Sequence, residues 1–99
     1  MYISNFKEND LNSLTEFFKV LGDPTRINIL LLLMKQDTYV NDLAEQLQMT
    51  QSAVSHQLNI LKSNKLVKQN RKGKMIFYTL IDEYIKILIK IGIEHIIQK

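Results

Sequence analysis

The eight residues from Ile27 to Met34, INILLLLM, are apolar at every position but Asn28. A helix that is apolar nearly all round cannot lie on a surface, so this one must be the buried centre of whatever the chain builds. A chain of 99 residues has room for one such centre, and a single domain over residues 1–99 is expected. The start of the helix is equally legible. Gly22 closes the segment before it, Asp23 stands where an N-cap belongs, and Pro24 takes the first helical position, where its preset φ suits a helix.

The other elements are placed by how they would cover that centre. Leu11, Leu14, Phe17, Phe18 and Leu21 recur at three- and four-residue steps, which predicts an amphipathic helix ending at Gly22. Thr38 is expected to cap a third helix with Val40, Leu43, Ala44 and Leu47 inward; Gln48 and Met49 form a turn, and Thr50 caps a fourth helix. In the fourth, Val54, Leu58 and Leu61 point inward. Ser52, Ser55, His56, Asn59 and Ser63 recur on the other side and leave a free face that is polar and uncharged.

From Leu66 the period changes from helical to extended. Two β-rich runs, LVKQN and MIFYTL, flank Arg71-Lys72-Gly73-Lys74 and read as a hairpin. After Ile81 a last helix aligns Ile85, Leu88, Ile89, Ile93, Ile96 and Ile97, widened by Ile87 and Ile91, which is more apolar surface than so small a domain covers. The fold class expected is therefore mainly α with a small β-hairpin: a winged helix-turn-helix of about five helices plus a two-stranded wing.

Charge indicates the partner. The net charge is only +3, but no Asp or Glu lies between Gln46 and Ile81, where Lys62, Lys65, Lys68, Arg71, Lys72 and Lys74 all fall. A local positive field of that kind suits phosphates. In a winged helix-turn-helix the second helix of the pair enters the major groove and the hairpin lies along the backbone. Gln51, Ser52, Ser55, His56 and Asn59 have the donors and acceptors to read base edges, and Lys62, Arg71, Lys72 and Lys74 the charge to hold phosphates.

Other functions are excluded on chemistry. The chain has no cysteine, hence no disulfide, thiolate metal site or thiol switch. Ser55 and His56 are helix neighbours pointing about 100° apart, so they cannot serve as nucleophile and base. Neither a phosphate-cradling glycine loop nor an HExxH pair occurs. The N-terminus, MYISNFKEND, does not read as a signal peptide and no apolar run reaches membrane-spanning length, so a cytoplasmic protein is expected.

Taken in order, LGDPTRINILLLL, VNDLAEQLQMTQSAVSHQLNILKSNKLV and RKGKMIFYTL resemble the ArsR/SmtB family of bacterial metal-responsive repressors over nearly the whole chain. The run TQSAVSHQLNILKS is most similar to the zinc- and cobalt-sensing branch. The resemblance implies operator contacts by Gln51, Ser52, Ser55 and His56 and by Arg71, Lys72 and Lys74 of the wing. It also implies a homodimer joined by the first and last helices, for which Leu14, Phe17, Phe18, Ile85, Leu88, Ile89, Ile93 and Ile96 are the candidates. One departure is the end of the recognition helix, where the family has glycine and this chain has Asn64-Lys65; of the two, asparagine better tolerates a left-handed backbone.

The family's metal sites can be checked position by position. A Cys-Val-Cys site on the third helix is matched here by Tyr39-Val40-Asn41 and lacks its thiolates. A second site, with two ligands early and two late on the last helices, is matched by Asp82, Tyr84, His95 and Gln98. Tyrosine and glutamine are poor zinc ligands. Asp82 and His95 lie about 20 Å apart along one helix and could meet only across an antiparallel dimer. The reading is thus a homodimeric repressor on an inverted-repeat operator in double-stranded DNA, with no cofactor and without the family's metal control. The alternatives are a zinc-responsive repressor using a residual site at Asp82 and His95, or a winged-helix protein-interaction module.

Overall fold

A computed structural model describes residues 5–98; Met1 to Ser4, part of the segment read for a leader, and Lys99 lie outside the described residues. The chain runs α1 (Glu8–Leu21), α2 (Pro24–Lys35), β1 (Thr38–Tyr39), α3 (Val40–Leu47), α4 (Gln51–Ser63), β2 (Val67–Lys72), β3 (Met75–Leu80) and α5 (Glu83–Ile97). The caps follow from local chemistry. The Asp23 carboxylate accepts from the Arg26 N–H at 3.1 Å, and the Thr50 hydroxyl from the Ala53 N–H at 3.1 Å. At α1 the Lys7 N–H donates to the Asp10 carboxylate at 2.8 Å.

Helix α2 is the centre, with Ile29 and Leu30 wholly buried and Leu33 nearly so. Around it close Leu43 of α3, Val54, Leu58 and Leu61 of α4, and Leu66 and Val67 at the start of the wing, each at most 1% exposed. That shell fixes α4 against α2 through its whole inner row.

The wing has three strands, in the order β1-β3-β2 and antiparallel throughout, where two were expected. Thr38 therefore does not cap α3. It pairs with Tyr78, its side chain is buried, and its hydroxyl donates back to the Gln36 carbonyl at 2.9 Å. Tyr39 takes the N-cap position without a side-chain bond. A two-residue strand has no periodicity of its own, and the partner strand β3 creates it.

Lys72 faces Met75 across the hairpin, leaving Gly73 and Lys74 as a two-residue loop. Gly73 has φ +64°, and a glycine at the first loop position matches the type II′ turn that suits the strand twist. Both helices of the helix-turn-helix end left-handed without glycine, at Gln48 (φ 55°) and Lys65 (φ 60°). At the second, Leu66 N–H donates to the Leu61 carbonyl at 2.9 Å and Lys65 N–H to that of Lys62 at 3.0 Å, a Schellman ending. So the left-handed residue is Lys65 and not Asn64. Asn64 stays at φ −97° and uses its side-chain amide on the Ile60 carbonyl at 2.8 Å.

Candidate nucleic-acid interface

Three sides of helix α4 bear on the interface. Its inner row is buried, and Ser52, His56 and Asn59 stand exposed opposite it. Gln51 and Ser55 turn toward the wing and line, with Tyr39, Asn41, Lys74 and Ile76, an open groove of about 290 Å³. The groove joins the start of α3, the start of α4 and the wing tip, which unites predicted base-reading and phosphate-holding residues on one side of the molecule.

The cations do not all share that surface. Strand alternation puts Val67, Gln69 and Arg71 on one face of β2, and Lys68, Asn70 and Lys72 on the other. Gln69 faces α4, since its side-chain oxygen accepts from Lys62 Nζ at 2.9 Å; Arg71 follows on the same face, nearer the tip. Lys68 and Asn70 instead line a second opening, of about 670 Å³, beside Asp37, Asp82, Glu83 and Lys86. Lys68 thus borders an opening whose rim also carries Asp37, Asp82 and Glu83, so the run that is acid-free along the chain has acidic residues on the same rim in space. Lys62 is engaged with the wing, whereas Arg71, Lys72 and Lys74 are exposed at its end.

Two features near the interface were missed in the sequence. Arg26 Nε donates to Gln57 Oε1 at 3.0 Å and its Nη1 donates to the Val20 carbonyl at 3.1 Å, tying α4 to α2 and α1. A separation of 31 residues leaves no local signal for that bond. On β3, the central wing strand, Tyr78 is buried in the core, and burial pushes its phenol above the ordinary 10.0.

The residues expected to join two subunits fall into two groups. Ile85 and Ile89 are each 7% exposed and belong to the chain's own core, and Phe17 and Leu88 pack partly against it. Leu14, Phe18, Ile93 and Ile96 are exposed, as are Leu11, Tyr84, Ile87 and Ile91, which the candidate set left out. Isoleucines at every helical angle gave the sequence no means of telling inner from outer.

Asp82 and His95 are not brought together within one chain. The Asp82 carboxylate caps α5, accepting from the Tyr84 N–H at 2.9 Å and the Ile85 N–H at 3.3 Å, while His95 lies exposed on the last turn. Among the described residues no three His, Cys, Asp or Glu side chains gather as a metal site.

A helix-turn-helix pair with its outer face free and a three-stranded wing beside it defines the winged helix-turn-helix class. A profile described as "Bacterial regulatory protein, arsR family" matches residues 23–69, from the cap of α2 into β2. The chain is 40% identical over 77 residues to the uncharacterized HTH-type transcriptional regulator MJ1325 of Methanocaldococcus jannaschii, covering 77% of this chain and 86% of that protein. It is also 40% identical over 83 residues to a transcriptional repressor SmtB homolog of Synechocystis sp., covering 84% of this chain and 63% of that relative's length. In three dimensions it resembles the solution structure of a homodimeric winged helix-turn-helix DNA-binding domain from Mycobacterium bovis, a possible ArsR-family transcriptional regulator. That likeness has a TM-score of 0.77 and 27% identity, over 86% of this chain and 82% of that one. The chain belongs to the arsR family of bacterial regulatory proteins, whose members matched here are transcriptional regulators and not enzymes.

Proposed function

We propose that this chain is a cytoplasmic repressor that binds an inverted-repeat operator in double-stranded DNA as a homodimer. The observation that carries the reading is the groove in which Gln51 and Ser55 of α4 meet Lys74 of the wing. Gln can bond adenine through two atoms, Ser and His bond base edges, and the wing cations neutralise phosphate. Exposed Leu11, Leu14 and Phe18 on α1 and Ile87 and Ile91 on α5 supply apolar surface for a second copy, and the Mycobacterium bovis domain is homodimeric. Two copies about a dyad present two recognition helices to half-sites about one DNA turn apart.

Control by zinc is not part of this reading. The matched positions hold Tyr84 and Gln98 in place of good ligands, and Asp82 is engaged as a helix cap. Among the described residues no helix is long and apolar enough to cross a membrane.

The test is binding to a selected inverted-repeat duplex and to its scrambled form at several salt concentrations. The reading expects a steep salt slope and a preference for the repeat of about 4 kcal/mol or more. Gln51→Ala lowers affinity for the repeat by about 1–3 kcal/mol. Lys74→Ala weakens both duplexes alike and reduces the salt slope by about one. Equal, salt-insensitive binding to both would leave the protein-interaction module. Release of DNA on adding zinc would restore the alternative at Asp82 and His95.

A further inference from the structure

We propose that Arg26 and Gln57 are positioning residues that set the rotation of the recognition helix about its own axis, and with it the aim of the base-reading side chains. The proposal rests on the DNA-binding reading for its consequence but on geometry for its content. Around α4, Gln57 precedes Leu58 by one residue and Lys62 follows Leu61 by one, so each lies about 100° from the buried residue it adjoins, on opposite flanks. Lys62 bonds Gln69 of the wing at 2.9 Å, and Gln57 bonds Arg26 at 3.0 Å. The inner row is thus bracketed by two side-chain bonds that reach different elements.

The flank held by Arg26 is the more fully built. Asp23 caps the Arg26 backbone N–H, and the half-buried guanidinium spans from the Val20 carbonyl at the last turn of α1 to the Gln57 side chain. Both acceptors are neutral, so the cation here is spent on direction and not on an ion pair. A planar fork suits that task, because its donors are fixed relative to one another. Apolar packing by Val54, Leu58 and Leu61 is strong but non-directional. It resists withdrawal of the helix better than it resists a roll. At a side-chain radius of about 6 Å, a roll of about 15° moves a tip by about 1.5 Å, which exceeds the tolerance of about 0.5 Å for a bonded site.

The experiment compares the full chain with Arg26→Lys, Gln57→Leu and Gln57→Glu, the last of which keeps an acceptor for the guanidinium. Backbone dipolar couplings of the free protein report each helix's rotation. In Arg26→Lys and Gln57→Leu, the rotation of α4 relative to α2 shifts by about 10° or more, while Gln57→Glu keeps the wild-type value. On DNA, the first two variants lose about tenfold of their preference for the selected repeat over its scramble, with the salt slope unchanged. The double variant Arg26→Lys, Gln57→Leu loses no more than either single one.

Unchanged rotation in both variants overturns the proposal. So do additive losses in the double variant, or equal losses on both duplexes with a lowered melting temperature, which is simple destabilisation. If the wild type bound every duplex alike, the repressor reading would fall, and the dipolar couplings would still decide the positioning role.

Discussion

Helices α4 and α5 carry similar apolar stripes and end in opposite conditions. In α4, Val54, Leu58 and Leu61 are each 0% exposed, so the chain completes that helix by itself. In α5 only Ile85 and Ile89 are covered, while Ile87, Ile91 and Ile96 remain 50%, 58% and 80% exposed. Apolar area left in water forgoes about 25 cal/mol per Å². The reading head is therefore a finished structure, and the final helix awaits a second surface.

The largest effect expected from this contrast is on assembly. Ile87→Asp with Ile91→Asp places two charges on the uncovered face; sedimentation should give a monomer for this variant and, on the proposed reading, a dimer for the wild type. Loss of the linked second head should lower operator affinity on the order of 10²–10⁴-fold. A dimer that survives both charges would show that α5 is not the joining surface. Next is Leu58→Ala, which opens a cavity in the finished helix and should cost about 2–5 kcal/mol in denaturant unfolding. A cost below about 1 kcal/mol would mean that α4 is held less by its inner row than its burial implies.

Smaller changes refine the same comparison at its edges. Lys65→Gly relieves a left-handed backbone at the end of α4 and should raise stability by about 1 kcal/mol. No gain would mean that the Schellman ending carries no strain. The smallest effect concerns Tyr78, whose phenol is raised above 10.0 by burial, so the fold favours its neutral form. Its contribution is intact below pH 10.0 and is lost as pH rises through the raised value in the folded state. Tyr78→Phe should flatten part of the alkaline decline in melting temperature; an unaltered decline would assign it to other groups.

What could be read in the sequence was what local rules govern. Gly22, the Asp23-Pro24 start and the Thr50 cap mark their helix ends, and the inner row of α4 follows from its period. The glycine turn located the hairpin tip. What escaped depends on partners distant in sequence. Strand β1 exists because β3 lies beside it, and Lys68 and Lys72 turn to the face away from α4 because the strand alternates. Gln57 gains its role from an arginine 31 residues earlier. Lys65 adopts the left-handed turn where Asn64 was favoured, because Asn64 has a carbonyl to hold from the right-handed side. The exposed polar face of α4 and the cations at the wing tip were legible from period and composition, but the division of the candidate residues between wing, groove and core was not.

Strand β1 is two residues long, and its second residue, Tyr39, is also the cap of α3. The sheet and the helix pair therefore share a residue, with no free linker between β1 and α3. If two copies pair as proposed, each brings a joint between sheet and helix pair that has no linker in it, as each leg of a pair of callipers keeps its shape whatever the span.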